Sequence, residues 1–314
     1  MSWLLGVLSR NKSLIGLIVL VAAVAVASPN FLEVGNLLNV LRQTSINGIM
    51  AMGMTFVILT GGIDLSVGAV LALCGAIAAS LIAAGYGLAV AIPLALLLGA
   101  GLGGLSGLAI TFGAVQPFIA TLVSMTVLRG AVLVFTNGTP IDCSEAASAA
   151  AFGALGEGYL LGIPVPVVVA AVVFAACWVT LTQTRFGRYV YAMGGNQTVT
   201  WLSGVNVTLM KIAVYAVSGF LAALAGIILT ARLENAQPTA GLGYELDAIA
   251  AAVVGGTSLA GGIGTMFGTL VGALIIGVLN NALNLLDVSS YYQMIAKGAV
   301  ILLAVLVDRR GRSR

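Results

Sequence analysis

Leu88–Thr111 reads LAVAIPLALLLGAGLGGLSGLAIT, 24 consecutive residues without a charge. A bilayer core about 30 Å thick is crossed by roughly 20 apolar residues in a helix, so this stretch is long enough to span a membrane. The same pattern recurs along the chain. Apolar runs between Gly, Pro and polar punctuation give ten candidate spans. The first five are approximately Leu14–Ala27, Ile46–Thr60, Ser66–Ala84, Leu88–Thr111 and Gln116–Thr136. The others are Ile163–Leu181, Lys211–Ala231, Ala248–Gly262, Met266–Leu285 and Tyr292–Val307. Those near 15 residues admit a tilted, re-entrant or broken helix.

Composition agrees with a chain whose main solvent is lipid. Of 314 residues, 60% are hydrophobic and 7% charged, with 41 glycines, and mean hydropathy is +1.13. A soluble domain carries about 25% charge, so a soluble enzyme, a disordered scaffold and a nucleic-acid binder are excluded. Absence of histidine removes imidazole relays, metal ligands and His-dependent triads. Cys74, Cys143 and Cys177 lie far apart with no CxxC spacing, which argues against a metal or thiol redox site. None of Lys12, Lys211 and Lys297 follows a glycine, so the chain has no GxxxxGK[ST] phosphate loop. If ATP drives this protein, another chain hydrolyses it.

Orientation follows from the charges between spans. Ten crossings with both termini in the cytoplasm place Arg10, Lys12, Arg185, Arg188, Lys211, Arg309, Arg310, Arg312 and Arg314 inside, nine of the 13 basic residues. The outer face receives Glu33, Asp142, Glu145, Glu157, Glu234, Glu245, Asp247 and Asp287, eight of the 10 acids. Arg10 and Lys12 before an apolar run ending in Ala25-Val26-Ala27 mimic a secretory signal. The run is kept as the first span because the downstream helices need no removable leader. The chain reads as one transmembrane domain, 1–314. It has an outer, acidic loop at about 137–162 and an inner, basic segment at about 183–210.

Helices in lipid associate through small residues. Gly99, Gly103 and Gly107 recur every fourth residue, as do Gly264, Gly268 and Gly272; each set reads as a packing stripe rather than a translocation path. Gly61-Gly62-Ile63-Asp64-Leu65-Ser66-Val67-Gly68 echoes Gly255-Gly256-Thr257-Ser258-Leu259-Ala260-Gly261-Gly262, and both fall at an inner turn. In the first, Asp64 or Ser66 caps the following helix, or Asp64 serves a gate or an inner partner. Arg129 and Lys297 are charges within spans, which are costly there. Arg129 is close enough to its helix end to snorkel to the interface, whereas Lys297 needs a partner or a watery cavity. The inner stretch from Arg185 to Val205 has a basic entry, a Gly194-Gly195-Asn196 start and a short helix ending at Gly204. It forms a knob suited to a cytoplasmic protein, or a helix lying on the membrane.

Several segments together carry a family resemblance. They include Ser28-Pro29-Asn30-Phe31, Thr60-Gly61-Gly62-Ile63-Asp64-Leu65-Ser66-Val67-Gly68, Gln116-Pro117-Phe118-Ile119-Ala120-Thr121-Leu122 and Gly187-Arg188-Tyr189 with Gly194-Gly195-Asn196. Others are Ala236-Gln237-Pro238-Thr239-Ala240-Gly241, Tyr244–Ala251, Gly255–Gly262 and Ser289-Ser290-Tyr291-Tyr292-Gln293-Met294-Ile295. In one register from about Lys12 to Asp308 the chain resembles the permease subunits of carbohydrate ABC importers, most nearly the ribose-import branch.

The resemblance implies an all-α polytopic permease of the bacterial inner membrane, working as a homodimer by alternating access. It also implies a periplasmic sugar-binding protein outside and a cytoplasmic ABC ATPase inside that binds the ATP, with no cofactor in this chain. The segment Gly194–Gly204 matches the family's coupling helix. Arg188, Gly194, Gly195, Asn196, Trp201 and Gly204 are therefore the docking candidates; Asp64, Ser66, Asn47 and Lys297 are candidates for a pathway or gate. Xylose, galactose or autoinducer-2 are the alternative cargoes. An ion-coupled secondary transporter, the rival class, would need several carboxylates within its spans, and only Asp64 comes close.

Overall fold

The computed structural model describes residues 12–312. Arg10 and Arg314 lie outside the described residues, as do the side chains of Lys12, Arg309, Arg310 and Arg312. Among the described residues there are thirteen α-helices. The first five are α1 (Lys12–Ala27), α2 (Val34–Leu59), α3 (Val67–Ala83), α4 (Leu88–Phe112) and α5 (Pro117–Thr136). After β1 (Ile141–Asp142) come α6 (Ala149–Glu157), β2 (Tyr159–Leu160), β3 (Ile163–Pro164) and α7 (Val165–Gln183). Next are α8 (Arg185–Gly195), α9 (Gln197–Leu202) and α10 (Val207–Leu233). The chain closes with β4 (Asn235–Ala236), α11 (Tyr244–Val254), α12 (Met266–Leu285) and α13 (Ser290–Arg312). Five helices, α4, α5, α7, α10 and α12, are long and apolar enough to cross a membrane, and α1 and α3 are shorter apolar helices. The fold is that of an all-α membrane protein.

Glycine stripes decide the tightest helix contacts. Gly99 and Gly103 of α4 lie against the backbone of Tyr215 and Gly219 on α10, and Gly107 lies against Ile212, where a Cβ would collide. The contact runs antiparallel for two turns. Gly268 and Gly272 of α12 pack in the same way on Gly255 and Ala251. The third member of that stripe, Gly264, falls outside the helix, in the loop before it.

Helix α2 is the central one, packed against α10, α12, α11 and α7. Every residue from Thr44 to Leu59 is buried. It starts at Val34, not near Ile46 as the apolar run suggests. The difference has a physical cause: polar residues that interrupt the apolar run are tolerated in a helix when they find partners in the protein. Asn36 and Asn281 exchange side-chain amide hydrogen bonds at 3.1 and 2.8 Å. The Arg42 guanidinium donates to the Tyr159 hydroxyl at 2.8 Å and lies over its ring.

Two helices, α3 and α11, are preceded or followed by non-helical chain inside the bundle. α3 starts beside Ser218, whose hydroxyl donates to Asp64 just before the helix. Ser218 lies 11 residues into α10, about 16 Å along its axis at 1.5 Å per residue. From there α3 follows the second half of α10, with Leu71 at Gly226 and Gly75 at Thr230. Residues 61–66 thus climb from the end of α2 to the middle of the bundle before the helix begins. The expected span Ala248–Gly262 is likewise not continuous. α11 covers only Tyr244–Val254, about 16 Å long and too short to cross 30 Å of hydrocarbon. Residues 255–265 follow as turns, with positive φ at Gly256, Gly261 and Gly262. The N-terminal ends of α3 and α11 meet: a Cβ on Gly68 would collide with the Gly241 carbonyl.

At the opposite end from α8 and α9, β1 pairs antiparallel with β4, Ile141 facing Ala236. The Cys143 amide extends the ribbon to the Glu234 carbonyl at 3.1 Å. α6 closes over it, with Gly156 against the backbone of Arg232.

Candidate functional site

The site is built on the α8–α9 pair. α8 begins at Thr184, whose hydroxyl accepts the Gly187 amide at 3.3 Å. It buries Gly187, Val190 and Met193 on one face. Asn196 ends it in an extended conformation and caps α9, accepting the Val199 amide at 3.0 Å. Gly204, at φ +83°, reverses the chain, and Asn206 caps α10 through the Leu209 amide at 2.9 Å. The short helix expected from Asn196 to Gly204 is present; the longer α8 before it had no apolar run to announce it.

Outward, the pair exposes Arg188 and Asn196 together with Val199, Trp201 and Leu202, the last two 64% and 71% exposed. An aromatic and two aliphatic side chains beside a guanidinium make a surface of the composition found in protein interfaces. Gly195 and Gly204 have open space around them. Of the six docking candidates, five therefore lie on the accessible side.

Gly194 faces the other way. A Cβ there would run into the Leu59 carbonyl and the Gly262 amide. These two groups are themselves hydrogen-bonded at 2.9 Å. The turn after α2 and the turn before α12 are thus joined to each other, with Gly194 seated on the junction. The Tyr191 hydroxyl, one helical turn earlier, donates to the Gly264 carbonyl at 2.8 Å. Phe186 packs on Phe56, ring centroids 6.0 Å apart. The two glycine-rich turns that echo each other in sequence meet on one helix.

Beyond the first turn the chain is held at Ile63 and Asp64. The Ile63 carbonyl accepts the Thr121 hydroxyl at 3.1 Å. One Asp64 oxygen accepts the Ser66 amide at 3.0 Å and hydroxyl at 2.6 Å; the other accepts the Ser218 hydroxyl at 2.8 Å. Asp64 has no exposed surface. It anchors the chain just before α3, where Ser66 stands at the N-cap position with no side-chain cap bond, and it does not face a partner in solution. Ser66 is buried with it.

The other pathway candidates lie elsewhere. Asn47 is buried at the middle of α2. The Lys297 ammonium pairs with Asp247 at 3.0 Å, which answers its need for a partner. That pairing also corrects the placement of Asp247: it is a buried residue of α11 and not an outer-loop acid. Arg129 does not snorkel. Its guanidinium donates to the Pro238 and Ala240 carbonyls, both at 2.8 Å, because the loop before α11 descends to meet it and leaves carbonyls without helical partners. Ser218, Thr121 and Tyr191 carry the long-range contacts of the site. As isolated polar residues in apolar or mixed segments, they gave no sequence signal.

The family described as branched-chain amino acid transport system / permease component matches residues 36–305. A ribose import permease protein of Haemophilus influenzae is 60% identical over 301 residues, 96% of this chain and 93% of the relative. One from Bacillus subtilis is 55% identical over 305 residues, 97% of this chain and 94% of the relative. A D-allose transport system permease protein of Escherichia coli is 40% identical over 295 residues, 93% of this chain and 89% of the relative. No solved structure matches the chain.

Proposed function

The chain belongs to the branched-chain amino acid transport system / permease component family, and from that premise we propose that it is the membrane-spanning permease subunit of an ABC importer for ribose. The observation that carries the substrate is the identity of 55–60% to ribose import permeases from two distant bacteria over nearly the full length of each. Identity to the D-allose permease falls to 40%. In this reading the protein lies in the bacterial inner membrane with both termini cytoplasmic and ten crossings, one of them made by α11 together with the loop that descends to it. It pairs with a second copy around one pathway and receives ribose from a periplasmic binding protein.

The reading assigns roles to the geometry. The cytoplasmic ATPase, which binds the ATP, docks on Arg188, Gly195, Asn196, Trp201 and Gly204 within segment 183–210. Movement of α8 then passes through Gly194 to the Leu59–Gly62 and Gly261–Gly264 turns together. The first turn carries Asp64 and Ser66 and leads into α3; the second follows α11. Both helices would shift at once, opening the pathway to one side as it closes on the other. The loop at 137–162 lies outside, where the binding protein arrives. This chain performs no covalent chemistry, and a neutral sugar requires only hydrogen-bonding walls.

The test is labelled-ribose uptake into proteoliposomes holding the permease and its ATPase, with ATP inside and the ribose-binding protein outside. Uptake that needs both and is competed by ribose, but not by xylose, galactose or autoinducer-2, is the expected result. Uptake that survives without the ATPase and collapses with an ion gradient would overturn it.

A further inference from the structure

A second cavity, of about 540 Å³, opens where the α4–α5 turn, α9 and the first turn of α10 come together. Its polar wall includes Thr111, Gln116, Thr198 and Thr208, and its single cation is Lys211. Among the described residues the one ion pair is Lys297 with Asp247, so Lys211 faces the cavity without a carboxylate to neutralise it. Trp201, 64% exposed, lines the cavity, and the exposed Phe112 and Phe118 adjoin its lining residues Thr111 and Pro117 in the chain. Phe112 and Phe118 flank the α4–α5 turn at the ends of two apolar spans, and aromatic residues at span ends sit at the level of lipid headgroups.

We propose that this cavity holds the phosphate headgroup of an anionic glycerophospholipid from the cytoplasmic leaflet, with Lys211 as the counter-charge. The leaflet assignment rests on the orientation given above; the site itself does not. The volume lies in the range of small-ligand pockets, and a basic pocket between helix ends on the cytoplasmic side is suited to an anionic headgroup. Hydroxyls of Thr198 and Thr208 and the Gln116 amide face the phosphate, and the acyl chains leave along Phe112 and Phe118. Because Thr198 and Trp201 belong to α9, a bound lipid ties the docking helix to the α4–α5 turn.

Native mass spectrometry of the delipidated full-length permease, titrated separately with phosphatidylglycerol and phosphatidylcholine, tests the site without relying on transport. The expected result is one tightly held phosphatidylglycerol per protomer, with phosphatidylcholine at least tenfold weaker. Lys211→Gln should abolish the preference, and Lys211→Arg should keep it, which separates lost charge from lost fold. Equal retention of both lipids, or a preference unchanged in Lys211→Gln, overturns the proposal. Displacement of the lipid by inorganic phosphate alone would assign the cavity to a free anion and overturn it as well.

Discussion

The Gly262 amide donates to the Leu59 carbonyl across 2.9 Å, and Gly194 lies on that bond with no room for a side chain. Gly194→Ala must therefore lift α8 off the junction. Overpacking of this kind costs about 1–3 kcal/mol, enough for a loss of roughly ten- to a hundredfold in a rate that depends on the contact. ATP hydrolysis stimulated by the binding protein should persist while ribose uptake falls by that factor. Gly195→Ala, with open space around it, should leave uptake intact. Equal uptake in the two variants would remove Gly194 from the transmission path.

Among the described residues, Ser218 is the only donor reaching the second oxygen of Asp64. Ser218→Ala leaves that buried oxygen unpaired, at a cost of about 1–3 kcal/mol. A lower melting temperature of the detergent-solubilised permease is the expected readout. Ser66→Ala should add its own loss, since Ser66 bonds the other oxygen. An unchanged melting temperature in Ser218→Ala would mean that α3 is anchored by something else.

The Lys297–Asp247 pair joins α13 to α11. Asp247 is 2% exposed, so removing Lys297 strands a buried charge, typically at about 3–5 kcal/mol. Lys297→Met alone should destabilise strongly, while Lys297→Met combined with Asp247→Leu should recover most of the loss. A double-mutant cycle on thermal stability reads the coupling, and strict additivity would show that the two charges act independently.

Cys143 sits beside the β1–β4 ribbon, 2% exposed, its thiol donating to the Glu234 carbonyl at 3.1 Å. Burial, helped by the neighbouring Asp142 and Glu234 carboxylates, pushes the thiol pKa up to about 11. The reactive thiolate is depleted tenfold for each pH unit below the pKa, so at pH 8 roughly one molecule in a thousand carries it. Maleimide should label Cys143 in denatured but not native protein, with native labelling rising towards pH 10. Rapid native labelling at pH 7 would show that the ribbon opens.

The sequence resolved helices that touch lipid better than those that touch only protein. α4, α5, α7 and α12 stand nearly where their apolar runs begin and end. α2 and α11 obey a different rule. Asn36 and Arg42 interrupt the apolar run yet lie inside a helix, where Asn281 and Tyr159 give them partners from distant parts of the chain. The α11 run looked continuous as far as Gly262, but its glycines break the helix after Val254. For the site, the outward residues from Arg188 to Gly204 were legible as a basic, capped knob. The inward bond between Gly262 and Leu59 was not, since it joins positions 203 apart with no side chain involved.

The burial of α2 also bears on how the protein is made. Its first half holds Asn36, Asn39, Arg42 and Gln43, and α2 is not among the five helices apolar enough to cross alone. The helices that cover it, α10 and α12, are synthesised more than 140 residues later. Arrested nascent chains ending before Val207 should therefore show α2 accessible to a glycosylation tag, and chains extended past Leu285 should show it protected. Insertion of the central helix becomes a late, cooperative event, and the quality of the finished bundle is checked at the ribosome's last third rather than at its first.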